Sequence, residues 1–375
     1  MNQIETAVGS GLRITCSADD LARKVALVAR AVSSRTTVQI LSGIMLHAGE
    51  GRVDLAATDM DLSLRTSLEA EVEGGGSVVV PGRLLMEVTR LLPDPGVVIE
   101  YRLEEGTVLL TCGAAQYRLH TYSADDFPKL PDVEGEAFTV GREVFLETVA
   151  RVSRAASRDE SRPVLTGILV RFEGEKVVMA ATDSYRLAVK ETSLDGSAPA
   201  LEAIVPARAL VELGRIAQSG DEIELGVHEN HVLFGAGDAW LTTRRIDGQF
   251  PDYRQLIPDT FEHELTLPRD DLLDVVRRVS VMAQRNSPLR LRFAEGELTV
   301  SAQTQDVGEA RESLPVPFAA DALDIGFNAE FLREGIESVN TDEVVIRLIS
   351  PLRPGLIRSD GDDFSYLIMP IRLAG

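Results

Sequence analysis

The chain has 375 residues and a mass of 40.7 kDa, which exceeds the usual size of a single-core domain, so we expect two or three domains. The net charge of -21 argues against nucleic acid and anionic membranes as partners, provided that the charge is evenly spread. No secretion signal or membrane span is visible, and Cys16 and Cys112 are too few for a disulfide framework. We therefore expect a cytoplasmic protein.

The first third of the chain contains the same order of elements twice. "LRIT" alternates like a strand, and "ADDLARKVALVARAV" has apolar residues at helical spacing with Asp19 and Asp20 near its start. Three short strands follow, after which "SVVVPG" leads into the helix "RLLMEVTRLL" and further strands. This order predicts two β-α-β-β-β halves, with helices on one side of antiparallel sheet.

The pattern recurs along the chain. The segments 47–64, 172–189 and 293–310 align, and their alanines Ala57, Ala181 and Ala302 lie 124 and 121 residues apart. The repeat is too long for a solenoid unit. We predict an α+β fold of three homologous domains over 1–128, 129–257 and 258–375.

Arginines recur seven residues apart on the predicted helices, a spacing that places both side chains of a pair on one helix face. If these helices face a common space, their charge creates a local positive field despite the acidic total. Low aromatic content and the absence of a groove-reading motif predict phosphate contacts without sequence specificity. The basic residues predicted to supply this field, and so to face a polyanion, are Arg23, Lys24, Arg30, Arg35, Arg83, Arg90, Arg151, Arg154, Arg158, Arg208, Arg215, Arg278 and Arg285.

Candidate catalytic and metal residues are few. Asp59 and Asp183 could serve a hydrolase, but the third repeat places Gln303 and Thr304 where the other copies have Thr-Asp, which argues against a repeated site. We interpret Thr-Asp as turn chemistry at a strand end, with the Asp side chain accepting from backbone N–H groups. His228 and His231 flank a predicted hairpin turn and lack further ligands nearby. We predict no enzyme activity, no metal and no cofactor.

The chain closes with "FSYLIMPIRLAG", an apolar run that predicts a terminal strand, where Pro370 indicates an edge position bordering a groove. Together with the three repeats, "ATDSYRLAV", "DGQFPDYRQLIP" and "IGFN", this end resembles the bacterial sliding clamp family, the beta subunit of DNA polymerase III. The resemblance covers essentially the whole chain. It implies a head-to-tail homodimer, a ring with helices lining the hole and sheets outside, threaded by duplex DNA.

The resemblance also implies a cleft for short peptides, rich in Gln, Leu and Phe, from the replicative polymerase, the clamp loader and repair proteins. The matching positions are Leu165, Thr182, Arg186, Leu187, Pro251, Leu256, Asn328, Leu352, Pro354, Leu367, Met369, Pro370, Ile371 and Arg372. Tyr117 and Val281 match the dimer contact. The chain departs from the family at Gln255, at Phe331 and at Ser184-Tyr185, which affects the expected peptide preference. A duplicated, specialised clamp with the same fold stays open as an alternative.

Overall fold

A computed structural model describes residues 12–33, 37–131, 137–227, 230–283, 287–305, 308–361 and 363–373. Its residues pack as two units. Unit 1 takes the described residues within Met1–Arg142 and Glu212–Arg245, and unit 2 takes those within Glu143–Val211 and Ile246–Gly375. None of the helices in these ranges combines the length and apolar character needed to span a membrane.

The strands, numbered in chain order, are β1 Arg13–Ser17, β2 Gly43–Gly49, β3 Arg52–Thr58, β4 Leu62–Glu69, β5 Glu71–Glu73, β6 Gly76–Pro81, β7 Gly96–Arg102, β8 Thr107–Cys112, β9 Ala115–His120, β10 Phe138–Gly141, β11 Gly167–Thr182, β12 Arg186–Pro206, β13 Glu222–Val227, β14 His231–Ala236, β15 Ala239–Arg244, β16 His263–Pro268, β17 Leu289–Ala294, β18 Glu297–Thr304, β19 Gly308–Pro315, β20 Leu323–Phe327, β21 Glu343–Leu348, β22 Gly355–Arg358 and β23 Phe364–Ile368. The α-helices are α1 Ala18–Val28, α2 Gly82–Thr89, α3 Arg142–Val152, α4 Pro163–Thr166, α5 Ala207–Ile216, α6 Arg269–Ser280 and α7 Ala329–Glu337. Short 3-10 turns extend α1 over Ala29–Ala31 and α3 over Ser153–Ala155.

Unit 1 contains two antiparallel sheets. One has five strands in the order β5-β1-β7-β8-β9, and the other has eight in the order β10-β13-β14-β15-β4-β3-β2-β6. The larger sheet is continuous because β15 pairs with β4, with Trp240 opposite Arg65. Helix α1 begins at the N-cap Ser17, whose hydroxyl accepts from the Asp20 N–H at 3.3 Å, and it buries one apolar side.

Unit 2 also contains two antiparallel sheets. Six strands lie in the order β11-β12-β23-β22-β21-β16, and four lie in the order β19-β18-β17-β20. Helix α6 carries Asp270 and Asp271 in its first turn and Arg277 and Arg278 in its last, which favours both ends of the helix dipole. Its apolar side is buried.

The predicted order of elements is confirmed in both halves of the first and third repeats, for example β1-α1-β2-β3-β4 and β20-α7-β21-β22-β23. The second repeat differs, because its expected short strands merge into the long β11 and β12. The register of this pair shifts around Gly174, whose φ of 62° suits glycine.

Candidate binding site

The Thr-Asp pairs close the turns at two strand ends. After β3, Asp59 Oδ1 accepts from the Asp61 and Leu62 N–H groups at 3.1 and 2.8 Å. After β11, Asp183 Oδ1 accepts from the Tyr185 and Arg186 N–H groups at 2.9 and 3.0 Å. The turn interpretation of both aspartates is therefore confirmed.

The second copy of this turn anchors a buried arginine. The Arg186 Nε donates to Asp183 Oδ2 at 2.9 Å, and its Nη1 binds the Glu334 carboxylate on α7 and lies 3.3 Å from the Tyr366 hydroxyl. The guanidinium stacks 4.2 Å from the centre of the Phe331 ring. Arg186 therefore fastens the turn after β11 to α7.

Burial alone lowers the pKa of Arg186, but the adjacent Tyr366 and Glu334 outweigh it and raise that pKa. Burial raises the pKa of Tyr366 as well. Both groups therefore hold their protons throughout the neutral range. Arg186 is only 7% exposed, so a ligand contacts the residues around Arg186 rather than its guanidinium group.

Strand pairing brings the remaining predicted peptide-site segments together. Leu187 on β12 and Leu356 on β22 both lie opposite Leu367 on β23. Beyond β23, the Met369 N–H donates to the Tyr185 carbonyl at 2.8 Å. The turn after β11, the start of β22 and the end of the chain therefore border one region of unit 2.

The C-terminal segment is held against β20. The Ile371 N–H donates to the Gly326 carbonyl at 2.7 Å. A Cβ on Gly326 would lie 2.8 Å from the Ile371 carbonyl oxygen, so this close approach requires glycine. Asn328, two residues later, caps α7 by accepting from the Phe331 N–H at 3.0 Å.

The predicted peptide-site residues divide into a buried floor and an exposed rim. Leu187 and Leu367 belong to one apolar core cluster, which also contains Phe250 and Tyr253. The other two buried members are Thr182 and Arg186. The half-buried members are Leu165, Asn328, Pro354, Pro370 and Ile371, and the exposed ones are Pro251, Leu256, Leu352, Met369 and Arg372.

Three large apolar side chains stay exposed in this region. Leu256, Leu352 and Met369 are 50, 62 and 43% exposed. Leu256 ends the 3-10 turn Tyr253–Leu256, whose Tyr253 packs into the floor. Large apolar side chains that stay exposed above an apolar floor are typical of a binding surface.

Sequence reasoning named Tyr185 only as a departure from the family, and it missed Glu334. Tyr185 is 62% exposed beside Met369, and its aromatic side chain after the Thr-Asp turn was the available signal. Glu334 lies 148 residues from Arg186, so no local pattern connects them. Gln255 is one of the positions at which the chain departs from the family. Its exposed side-chain amide donates to the Asp252 carboxylate at 2.7 Å.

In unit 1, the predicted DNA-facing residues form ion pairs. Arg83 and Arg23 are the most exposed of those that pair, at 88 and 74% of their side chains. The ion pairs are Arg23–Asp20, Lys24–Asp238, Arg30–Glu212, Arg83–Glu87 and Arg215–Glu212. Arg90 is exposed at the end of α2.

In unit 2, Arg151 departs from the prediction. It is 5% exposed, its Nε donates to the Ser338 carbonyl at 2.7 Å, and it stacks 4.2 Å from the centre of the Phe364 ring. The expectation that Arg151 and Arg158 leave one helix face is wrong, because α3 ends at Val152.

The other basic residues of unit 2 are more accessible. Arg154 pairs with Glu337 and Arg278 with Glu312, while Arg158 and Arg208 are exposed. Arg35 and Arg285 lie outside the described residues, as does His228. Within the described ranges, no group of three or more His, Cys, Asp or Glu side chains is placed to hold a metal.

Of the two predicted dimer-contact residues, one lies on an edge strand and the other directly follows a helix. Tyr117 is on β9, the edge strand of the five-stranded sheet, and Val281 follows α6 with 77% of its surface exposed.

Three successive stretches of the chain match the profiles of one protein family. These are "DNA polymerase III beta subunit, N-terminal domain" over 12–131, "central domain" over 139–252 and "C-terminal domain" over 254–372. The matches account for most of the chain.

Individual relatives agree with these matches. The chain is 34% identical to the "Beta sliding clamp" of Streptomyces coelicolor, covering 97% of this chain and 100% of that protein. It is 31% identical to the "Beta sliding clamp homolog GriR" of Streptomyces muensis, covering 96% and 99%. A sliding clamp of Pseudomonas aeruginosa, solved bound to griselimycin, is 27% identical with a TM-score of 0.90, covering 97% of this chain and 100% of that one.

Proposed function

Because the chain belongs to the DNA polymerase III beta subunit family of sliding clamps, we propose that it is a processivity factor that encircles duplex DNA as a homodimer. It tethers the replicative polymerase, the clamp loader and repair proteins in the cytoplasm, at the nucleoid. It has no chemistry, metal or cofactor of its own. Its three repeated domains span 1–128, 129–257 and 258–375.

One observation carries the tethering part of the proposal, namely the exposed apolar rim of unit 2. Leu256, Leu352 and Met369 stay exposed around a floor that contains Leu187 and Leu367. Apolar side chains of a short peptide fit such a rim, while neighbouring backbone and polar groups orient it. Griselimycin is the ligand in the solved Pseudomonas aeruginosa clamp. Competition between griselimycin and such a peptide for this chain is therefore a direct test of the rim.

Retention on DNA follows from topology and non-specific phosphate contacts. The helical arginines supply the cations, and no base-reading element is required for sliding. The dimer contact of this proposal lies at Tyr117 on β9 and at Val281 after α6, and β9 ends its sheet, so it can pair with a strand of a second copy.

A specialised clamp with the same fold is the second candidate. The 31% identity to the clamp homolog GriR is close to the 34% identity to the Streptomyces coelicolor clamp. The primary and the specialised clamp are distinguished by replacing the replicative clamp of a bacterial host with this chain. Support of chromosome replication is expected of a primary clamp, and growth failure despite a folded dimer indicates the specialised one.

Topological binding gives the decisive test. The protein is loaded by a clamp loader with ATP onto nicked circular DNA, and the bound fraction is separated by gel filtration. We expect it to elute with the circle and to be lost after the circle is cut once by a restriction enzyme. Equal retention on circular and linear DNA, or no retention on either, contradicts the clamp function.

A further inference from the structure

Three arginines in unit 2 surround the carboxylate of Glu337, at the end of α7. Arg154 Nη1 lies 2.5 Å from Glu337 Oε2, and Arg277 Nη2 lies 2.9 Å from Oε1. Arg333, one helical turn before Glu337, places its Nε 4.0 Å from Oε1. We call these four residues the Glu337 cluster. It joins α6, α7 and the 3-10 turn that follows α3.

The carboxylate lies beneath its cations. The Glu337 side chain is 19% exposed, whereas those of Arg154, Arg277 and Arg333 are 39, 51 and 41% exposed. Three cations and one anion leave a net positive charge facing solvent. Asp274 is a second carboxylate beside the cluster, 4.0 Å from Arg277 and 61% exposed.

The cluster is also incompletely satisfied. The buried Nε of Arg333 has no hydrogen-bond partner among the described residues. A single carboxylate has two oxygens, whereas three guanidinium groups offer many more N–H donors. The buried Arg333 Nε does not face solvent, but the side chains of Arg154, Arg277 and Arg333 are partly exposed, so their other N–H donors remain for a second anion that approaches from solvent.

Unit 1 repeats this arrangement. Glu212 on α5 has a side chain that is 11% exposed, and it receives Arg30 at 3.0 Å and also Arg215. Both arginines are more exposed than the carboxylate, at 40 and 54%. In both units an arginine just beyond the first helix of a repeat pairs with a glutamate on a second helix, which makes chance placement a poor explanation.

We propose that the Glu337 cluster binds a phosphodiester group of DNA. In this proposal the Glu337 carboxylate competes with the phosphate for the guanidinium groups of the three arginines. The proposal rests on the proposed clamp function, which supplies the DNA. The carboxylate holds the three guanidinium groups when no phosphate is near, and a phosphate must draw them away from it. Each contact with DNA is thereby weakened, which suits a protein that must move along the duplex.

The test compares Glu337→Gln with Glu330→Gln. Both variants remove one negative charge from α7, but Glu330 is exposed and forms no ion pair with any described residue, so it controls for net charge. Binding of unloaded protein to a short linear duplex labelled with fluorescein is measured by anisotropy over a range of salt concentrations.

We expect Glu337→Gln to bind about 3- to 10-fold more tightly than Glu330→Gln at low salt, with a steeper salt dependence by roughly 0.9 for each added phosphate contact. Adding Arg154→Gln and Arg277→Gln to Glu337→Gln should abolish the gain. Thermal melting checks that each variant is folded, and Glu337→Asp serves as a second variant, with a shorter carboxylate and a smaller gain.

Equal affinity of Glu337→Gln and Glu330→Gln overturns the inference, as does binding by neither at the lowest salt. A gain that persists without Arg154 and Arg277 also overturns it. Failure of the clamp function is recognised separately, because it appears as loss of wild-type retention on nicked circular DNA.

Discussion

Thr182 and Thr58 support the same kind of turn through their hydroxyls. Thr182 Oγ1 donates to the Arg186 carbonyl at 2.6 Å and accepts from the Ser184 N–H at 3.1 Å. Thr58 does the same across its turn, at 3.1 and 3.0 Å. Ser184 has a φ of 80°, so the side-chain hydrogen bonds hold a backbone that non-glycine residues rarely adopt.

The two aspartates of these turns should differ in their effect on stability. Asp183→Ala removes two backbone hydrogen bonds and an anion that faces the buried Arg186, so we expect a loss of about 3 kcal/mol. Asp59→Ala removes the corresponding turn bonds in a more exposed place, and about 1 kcal/mol is expected. Urea denaturation followed by circular dichroism measures both. Equal losses would contradict the role given to Arg186.

Arg151 should matter for folding rather than for DNA. Its guanidinium is buried against Phe364 and bonded to Ser338, so Arg151→Gln is expected to lower the free energy of unfolding by roughly 2–4 kcal/mol. Arg158→Gln, at an exposed position, should change stability by less than about 0.5 kcal/mol. Both are measured by urea denaturation, and duplex affinity is measured on the folded protein. A stable Arg151→Gln protein with weakened DNA binding would refute this assignment.

At the scale of elements, the junction of α6 and α7 should respond to acid. Burial raises the pKa of Glu337, but hydrogen bonds from Arg277 and Arg154 outweigh it and hold that pKa below the ordinary 4.5. The unfolded chain therefore takes up a proton at higher pH than the folded chain. The stabilisation is present above pH 4.5 and is lost as the pH falls through the lower, folded pKa.

Thermal midpoints recorded from neutral pH down to about pH 3.5 test this sign, since carboxylates titrate in that range. The wild-type midpoint should fall more steeply below pH 4.5 than that of Glu337→Gln. Glu330→Gln should follow the wild type. Parallel curves for all three proteins would show that Glu337 is not stabilised in its charged form.

The exposed apolar rim of unit 2 should bind peptide through its leucines, Leu256 and Leu352. Leu352→Ser removes an apolar side chain that is 62% exposed, so folding should be unchanged while affinity for a synthetic Gln/Leu/Phe peptide falls about 10-fold. Leu91→Ser, at a leucine that is 74% exposed in unit 1, is the matched control. Isothermal titration calorimetry measures both affinities. Comparable affinities in the two variants would place the peptide elsewhere.

Local patterns in the sequence predict elements better than contacts between them. The helix over Ala18–Val28 and the Thr-Asp turns follow from spacing and side-chain chemistry within a few residues. The merging of strands into β11 depends on pairing with β12, which a local pattern does not contain. Likewise, Arg154 and Glu337 are 183 residues apart, so an arginine that looks available in sequence is paired in the structure.

For the whole molecule, the net charge of -21 needs to be reconciled with a DNA partner. The helical arginines do not form an unopposed positive surface, because Glu212, Glu312 and Glu337 each receive one or more of them. Non-specific contacts of this kind are weak and sensitive to salt. In the proposed clamp, long residence on DNA therefore comes from closure of a ring, and the proposed function depends on assembly.

Assembly should fail when its apolar contact is charged. Val281 is 77% exposed after α6, and a charge at this position would be buried without a partner in the proposed dimer, so Val281→Asp is expected to dissociate it. Light scattering at micromolar concentration should give twice 40.7 kDa for the wild type and 40.7 kDa for the variant. Met60→Asp, at a turn residue that is 55% exposed, should leave the mass doubled.

The same pair of variants connects assembly to DNA. Val281→Asp should lose retention on nicked circular DNA while keeping the wild-type affinity for the Gln/Leu/Phe peptide, because the rim of unit 2 lies on a separate set of residues. Met60→Asp should keep both. A Val281→Asp monomer that remains on circular DNA would separate DNA retention from ring closure and would require direct contacts strong enough to replace it.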